Sequence, residues 1–180
     1  STLRFFRNVE GVDDLVLDGQ NLELLSLEIE GQTLPADSYE ITDSSLTILN
    51  LSKFLGRAPH DFSLKCVTRI EPQHNTVLEG LYKSKKMFCT QCEAEGFRRL
   101  TYYLDRPDVM SKFTTTIIAD KACYPTLLSN GNLVASKDID VDGQDSVRHL
   151  ATWVDPFKKP SYLFALVAGN LSCIEDVFST

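Results

Sequence analysis

Three side chains that can bind a positively charged group stand at alternate positions in one short stretch of the chain. These are Gln91, Glu93 and Glu95. If the backbone there is extended, all three project to one face, because side chains in a strand repeat every second residue. Two carboxylates and a carboxamide can together accept hydrogen bonds from a positively charged group. The same spacing also suits an exposed strand edge whose glutamates keep the surface soluble.

Cysteine and histidine form no recognisable metal or redox site in the sequence. Cys89 and Cys92 make a C-x-x-C pair, which elsewhere is a redox dithiol or half of a zinc site. On a strand, positions i and i+3 point to opposite faces, so we interpret both as incidental buried cysteines. His60, His74 and His149 are far apart, without the spacing of a helical zinc site. We expect structural or surface roles for these histidines and no metal bound by this chain.

The composition argues against several classes of function. Lys and Arg total 18 and Asp and Glu total 25, which gives a net charge of −7, whereas nucleic-acid binders usually carry a basic patch. The longest nearly uncharged run, 160–169, is about half the ~20 residues that a membrane-spanning helix needs. Five cysteines, an odd number, fit reduced thiols better than a secreted disulfide framework. We therefore expect no nucleic-acid partner, no membrane partner and a cytoplasmic location.

Most of the chain has the pattern of short strands separated by turns, and helix is scarce. Alternation of apolar and polar residues, or a run of β-branched residues, predicts a strand. A slip in the alternation at Leu24-Leu25 indicates a β-bulge. One or two turns of helix are predicted for 105–111, with Asp105 as the cap. The predicted strands are 21–29, 45–49, 62–70, 113–119, 126–129, 132–135, 149–154 and 162–168.

Two further local signals concern the second half of the chain. Asn130-Gly131 lies between two apolar segments, which predicts a β-hairpin. Trp153 could be a stacking platform for a base or sugar, but a lone tryptophan on a predicted strand is more typical of a core. Because the sequence shows no internal repeat, low-complexity tract or linker, we predict one all-β domain over residues 1–180.

Six strings, in this order and spacing, carry a family resemblance. They are LDGQNL at 17–22, NTVLEGLY at 75–82, QCEAEGFR at 91–98, DRPDV at 105–109, YPTLLSNGN at 124–132 and PSYLFALVAGN at 160–170. Together they resemble the N-terminal domain of zinc aminopeptidases of the aminopeptidase N type, especially the bacterial alanyl aminopeptidases. The resemblance implies a saddle-like, mainly antiparallel β domain.

The resemblance also implies a role for the first motif. In these enzymes a Gln-x-Glu element of the N-terminal domain binds the α-amine of the substrate. The matching residues are Gln91 and Glu93, with Glu93 as the principal anchor, while Glu95 lies outside the matched pair. In related enzymes the peptide bond after the anchor can be cis, so Glu93–Ala94 is a candidate for a cis bond.

The catalytic part of such an enzyme is not encoded in this sequence. The 180 residues contain no H-E-x-x-H, the motif that supplies two zinc ligands and a general base. The resemblance implies that zinc belongs to a catalytic domain beyond Thr180, that the substrates are peptides with a free N-terminus, and that this chain is inactive alone. Two alternatives stay open: a free-standing β-sandwich module that binds peptides or glycans, and a thiol redox protein built on Cys89 and Cys92.

Overall fold

The domain is built almost entirely from short strands. The computed structural model describes residues 1–6, 13–56, 61–139 and 147–177. Within those ranges the strands are β1 Thr2–Phe6, β2 Leu15–Asp18, β3 Glu23–Ile29, β4 Gln32–Thr33, β5 Tyr39–Ile41, β6 Ser45–Ile48, β7 Asp61–Arg69, β8 Gly80–Ser84, β9 Met87–Gln91, β10 Ser111–Asp120, β11 Thr126–Ser129, β12 Asn132–Ile139, β13 Arg148–Lys159 and β14 Leu166–Gly169. A single α-helical turn, α1, covers Ser52–Leu55, and 3-10 turns cover Ala36–Ser38, Pro72–His74, Phe97–Arg99 and Ser161–Leu163.

Four antiparallel sheets make up the described part of the chain. Their strand orders are β1-β7-β3-β4, β2-β6-β5, β10-β13-β12 and β11-β14-β9-β8. Strands that are distant in sequence pair in these sheets, as β14 does with β9. The all-β, mainly antiparallel fold with little helix is therefore confirmed.

Two separate cores lie on either side of a connecting cluster. The first core joins the β1-β7-β3-β4 and β2-β6-β5 sheets, and Leu17, Leu46 and Leu64 are completely buried in it. The second core joins the other two sheets through Ile117, Leu127, Ala151 and Ala168. A third set, which we call the junction cluster, consists of Cys92, Phe97 and Tyr103, with Leu3, Leu100, Val109, Phe113 and Phe164 packed against them.

The bulge predicted in the first long strand is present. The pairing of β3 with β7 shifts register between Leu24 and Ser26. Because the bulge adds one residue to β3, Leu24 and Leu27 both face the first core although they stand three positions apart, which accounts for the slip in the alternation. Leu24 packs against the first core, whereas Leu25 is exposed.

The helix predicted for 105–111 is wrong. This segment is a turn closed by a hydrogen bond from the Val109 N–H to the Arg106 carbonyl, 3.1 Å, and the chain then enters β10. The Asp105 carboxylate is taken by Arg98 and Ser161 instead of capping a helix. Tertiary partners thus override the local capping signal.

The hairpin predicted at Asn130-Gly131 is also wrong, although both flanking strands exist. β11 pairs with β14 and β12 pairs with β13, so the chain changes sheets at this point. Asn130 supports the corner, since its Nδ2 donates to the Leu163 carbonyl (3.1 Å) and its Oδ1 accepts from the Ala165 N–H (2.7 Å). Gly131 has φ +89°, and a Cβ there would lie 2.3 Å from the Val154 carbonyl oxygen. The Asn-Gly pair therefore makes a tight turn between two sheets.

Two smaller differences concern the end of the chain. The strand predicted for 162–168 is replaced by a 3-10 turn and the shorter β14. Trp153 has the structural role that we predicted, because its indole Nε1 donates to the Leu127 carbonyl at 3.1 Å and its ring packs against the second core. No helix in the described ranges is long and apolar enough to cross a membrane.

Candidate functional site

The Gln-x-Glu element lies where a strand ends and a turn begins. Gln91 is the last residue of β9, and residues 93–96 form a turn. The expectation that Gln91, Glu93 and Glu95 project from one extended strand is therefore wrong, because the strand stops before Glu93. The Glu93–Ala94 peptide bond is cis, in agreement with the possibility raised by the family resemblance.

Gln91 and Glu93 are joined through the backbone of the turn. The Gln91 Nε2 donates to the Glu93 carbonyl oxygen at 3.2 Å. With its amide nitrogen engaged, Gln91 keeps its carboxamide oxygen as an acceptor. Both side chains are exposed, and the Glu93 carboxylate has no hydrogen bond or ion pair with any residue that the structure describes. One carboxylate and one carboxamide oxygen are therefore available at this turn.

Glu95 is engaged elsewhere. One of its carboxylate oxygens lies 3.4 Å from Nη1 of Arg98. This exposed contact at i,i+3 spacing contributes little to stability by itself. It does direct the Glu95 side chain toward Arg98.

A buried ion pair between Arg98 and Asp105 supports the turn from the interior of the domain. The Arg98 Nε lies 3.0 Å from Oδ2 of Asp105, and the Arg98 N–H donates to the same oxygen at 3.1 Å. The other Asp105 oxygen accepts from the Ser161 hydroxyl. The Asp105 N–H in turn donates to Asp18 Oδ2 at 3.0 Å, which ties the pair to the end of β2. Because Asp105 is only 4% exposed, this network holds its members in a fixed geometry.

Two glycines allow the turn to pack against the neighbouring strand. A Cβ on Gly96 would lie 2.4 Å from the Gln91 carbonyl oxygen and 2.9 Å from the Cys92 Cα. Gly80, which is paired with Gln91 in the β8–β9 register, has φ +74°, and its added Cβ would lie 2.7 Å from that of Arg99. Since neither position has room for a side chain, the backbone of the turn is fixed by close contact.

The turn is anchored in the junction cluster at its two ends. Cys92 precedes Glu93 and is 3% exposed, and Phe97 follows Gly96 and is buried as well. The Phe97 ring makes edge-on contacts with Tyr103 and Phe164, with ring centres 4.9 and 5.2 Å away. Aromatic contacts of this geometry stabilise a cluster beyond simple area burial. The exposed residues 93–95 are therefore carried between two buried anchors.

The cysteines have the properties of core residues. Burial, with a smaller contribution from the Asp105 charge, raises the pKa of the Cys92 thiol to about 12. A reactive redox cysteine requires a lowered pKa, because the thiolate is the nucleophile. All five cysteines are free, and Cys89 pairs across the strands with Tyr82. The thiol redox alternative is therefore disfavoured.

The two histidines in the described ranges each contact a neighbouring protein group. His149 is buried, and its Nε2 donates to the Tyr124 carbonyl at 2.8 Å. His74 is exposed beside Glu71, with 3.4 Å between Nδ1 and a carboxylate oxygen, while His60 lies outside the described residues. No group of three or more His, Cys, Asp or Glu that could hold a metal ion occurs within the described ranges.

Two grooves lie beside the turn without including it. The larger, of about 1050 Å³, is lined in part by Ile41, Val77 and Arg99. The smaller, of about 510 Å³, is lined by residues of the second core and its surroundings, including Phe88 and Tyr124. Gln91 and Glu93 line neither of these two grooves, and both side chains are exposed.

The sequence analysis did not identify the ion pair that supports the turn. Arg98 and Asp105 stand seven residues apart, a spacing that predicts no contact in a strand or a helix. Their only signal was their presence in the resemblance strings QCEAEGFR and DRPDV.

The family of the chain follows from a match between its sequence and a family model. Residues 2–163 match the Peptidase M1 N-terminal domain. The chain belongs to the peptidase M1 N-terminal domain family. The aminopeptidase resemblance identified from the motifs is thereby confirmed.

Curated relatives of this M1 domain are much longer than the chain. It is 49% identical over 166 residues to aminopeptidase N of Escherichia coli, a match that covers 92% of the chain and 18% of that protein. It is 45% identical over 177 residues to aminopeptidase N of Haemophilus influenzae, which covers 98% of the chain and 19% of that protein. The chain thus spans about a fifth of the length of these relatives.

Solved structures confirm the fold of the M1 domain. A Legionella pneumophila aminopeptidase A in complex with aspartic acid matches with a TM-score of 0.84 and 40% identity, over 95% of the chain and 19% of that structure. An M1 zinc metallopeptidase of Deinococcus radiodurans, a variant bound to a Tyr-Ser-Ala substrate, matches with a TM-score of 0.73 over 93% of the chain and 36% of that structure. Its 17% identity supports the fold alone.

Proposed function

We propose that this M1 domain recognises the N-terminus of peptide substrates within a zinc-dependent aminopeptidase. Glu93 is the principal ligand of the substrate α-ammonium, and Gln91 supplies a second acceptor. The observation that carries the proposal is the exposed Glu93 carboxylate, which has no partner among the described residues although its turn is rigidly supported. Relatives named aminopeptidase N, and the 40% identical aminopeptidase A in complex with aspartic acid, support the choice of an α-amine.

The chemistry of the amine fits the two acceptors. An α-amino group has a pKa of about 7.7–8.0, so much of it is charged at neutral pH. A charged amine presents three N–H donors, and a carboxylate and a carboxamide oxygen are suitable acceptors. An internal peptide bond offers no such cation. Glu93 and Gln91 would therefore select chain ends and set the register in which a peptide lies.

Fixing one end of the substrate also assists the reaction. A bound amine places the first peptide bond at a defined distance from the turn, and such positioning lowers the entropic part of the barrier. The rigid support from Arg98 and Asp105 matters here, because an anchor that moves would lose this advantage.

The zinc ion that this family implies does not fit the residues of this chain. The sequence has no H-E-x-x-H, and the described residues contain no cluster that could hold a metal. We therefore assign zinc, the general base and the cleavage step to the polypeptide beyond this chain. The domain alone is proposed to be inactive, in a cytoplasmic enzyme whose cysteines stay reduced.

The test is to replace Glu93 in the full-length enzyme. A hydrogen bond to a charged group contributes about 1.5–3 kcal/mol, so Glu93→Ala should lower kcat/KM about 10- to 150-fold. Glu95→Ala is the matched control, because it removes another exposed glutamate two residues away. Its exposed contact with Arg98 is worth about 0–1 kcal/mol, so the loss should stay below about fivefold.

A pair of inhibitors separates amine binding from general damage to the site. One carries the α-amine and the other has the amine replaced by hydrogen. If Glu93 binds the amine, Glu93→Ala should weaken only the first inhibitor. Equal weakening of both, or unchanged kinetics on alanyl substrates, would contradict the assignment.

The alternative function, a free-standing binding module, predicts a different result in a binding assay. Such a module would bind peptides or glycans without a catalytic partner, and its binding would not require a free amine. Comparing a free peptide with its N-acetylated form in a binding assay distinguishes the two functions. Preference for the free peptide supports the amine anchor.

A further inference from the structure

The loop that leads into β8 is fixed by a single side chain. Asn75 Nδ2 donates to the carbonyls of Glu79 and Leu81, at 2.8 and 2.9 Å. Its Oδ1 accepts from the N–H groups of Val77 and Leu78, at 3.1 and 3.2 Å. One carboxamide thus satisfies four backbone groups, which holds the loop in one conformation.

This fixed loop presents two adjacent aliphatic side chains to the surface. Val77 is 57% exposed and Leu78 is 52% exposed. Leu78 has φ +63°, in the left-handed region that a leucine rarely adopts. Scattered exposed apolar residues are ordinary on a surface. Here the hydrogen bonds of Asn75 hold two neighbouring aliphatic side chains at the surface, on a backbone that is unfavourable for leucine. Contact with an apolar surface would remove both side chains from water.

The loop lies at the same end of its hairpin as the Gln91–Glu93 turn. Gly80, its last residue, pairs with Gln91, and a Cβ on Gly80 would lie 3.2 Å from the Gly96 carbonyl oxygen. Val77 also lines the larger groove together with Ile41, another exposed aliphatic residue. The opposite end of the hairpin, between β8 and β9, carries charged lysines instead.

The occupant of this surface follows from the length of the relatives. The chain corresponds to 18% of the Escherichia coli relative and 19% of the Haemophilus influenzae relative. About four-fifths of such a polypeptide therefore lies outside the structure. If Glu93 meets a substrate held by that polypeptide, as the proposed function requires, then the end of the hairpin that carries Glu93 must face it.

We propose that residues 75–80, the docking loop, bind an apolar surface of the remaining polypeptide through Val77 and Leu78. The proposal rests on the proposed function for the orientation of the domain. Because Gly80 is paired with Gln91, a docked loop also fixes the distance between the Glu93 turn and that polypeptide. The loop is thus an interdomain contact as well as a support for the anchor.

Cysteine labelling in the full-length enzyme tests the contact. Leu78→Cys reports on the docking loop, and Lys86→Cys is the matched control at the other end of the same hairpin. Each labelling rate is divided by the rate of the same variant in denaturant, and mass spectrometry of the peptide distinguishes the new thiol from the native cysteines. We expect position 78 to react at least about tenfold more slowly than position 86. A smaller difference would overturn the proposal.

A second variant remains informative if the cysteine variants fold poorly. Glycine tolerates a positive φ, so Leu78→Gly should leave Tm unchanged or raise it if solvent covers the loop. If the loop docks, the loss of the leucine contact should lower the Tm of the full-length enzyme. Unchanged or raised Tm would contradict docking.

Two further results distinguish intramolecular docking from self-association and from the amine anchor. Protection at position 78 that grows with enzyme concentration would identify a second copy of the chain as the occupant, and would overturn the intramolecular contact. The labelling result does not depend on substrate. Free labelling at position 78 with a large Glu93→Ala effect would therefore refute docking alone, and the reverse pair of results would refute the amine anchor alone.

Discussion

The ion pair between Arg98 and Asp105 should affect stability unequally from its two sides. Arg98→Met removes the cation and leaves the Asp105 carboxylate, whose side chain is 1% exposed, with only its contacts to the Arg98 N–H and to Ser161. Removal of one partner of a buried pair costs about 3–5 kcal/mol, since the other charge stays buried. That is a large share of a total stability of about 5–15 kcal/mol.

Asp105→Asn should cost less. The remaining Arg98 side chain is 14% exposed and still has Glu95 at 3.4 Å and Asp18 at 3.9 Å. The stranded cation therefore keeps partial compensation, and the expected loss is about 1–3 kcal/mol. Because the double variant removes both the buried carboxylate and its cation, it should cost at least about 0.5 kcal/mol less than the sum of the two single variants.

Urea denaturation with linear extrapolation measures all three variants against the unchanged protein. We expect Arg98→Met to be the most destabilising single change. If Asp105→Asn cost as much or more, the assignment of Asp105 as the more deeply buried charge would be refuted. If the effects of the two changes added without coupling, the ion pair itself would have no role in stability.

Two more predictions concern the turn and its buried thiol. Gly96→Ala should cost about 1–3 kcal/mol in stability and lower kcat/KM in the full-length enzyme, because its Cβ would overlap the Gln91 carbonyl. Unchanged stability in urea denaturation and unchanged kinetics would show that the turn has room for a side chain. Burial raises the pKa of the Cys92 thiol to about 12 and that of Cys66 to about 11, so the folded state keeps protons that the unfolded state loses. Stability should be complete below about pH 8.5 and fall by about 1.4 kcal/mol per pH unit per thiol above it. Urea midpoints between pH 8 and 10 should fall less steeply for Cys92→Ala, and an equal slope would contradict the raised pKa.

Much of the fold follows from local sequence, but strand pairing does not. Alternation identified the positions of most strands, because each has one buried face. The Asn130-Gly131 signal correctly marked a reversal of the chain, but no local signal determines which strands pair on either side of it. The partners of β11 and β12 come from segments that lie later in the chain, so the sheet change could not be predicted.

The candidate site was predictable only in part. Gln91 and Glu93 were identified by the resemblance, whereas alternation alone placed three side chains on a strand that ends at Gln91. The support of the turn depends on contacts across the fold, such as that between Ser161 and Asp105. Such long-range hydrogen bonds leave no periodic pattern in the sequence.

The long-range support of the turn has a consequence for how the domain folds. Two partners of Asp105 come from distant parts of the chain: Asp18 is 87 residues away and Ser161 is 56 residues away. Both contacts require closure of a long loop, and folds dominated by such contacts form slowly. The two cores can collapse on their own strands first, so the turn that carries Glu93 should acquire its final geometry late, when both halves of the chain have met.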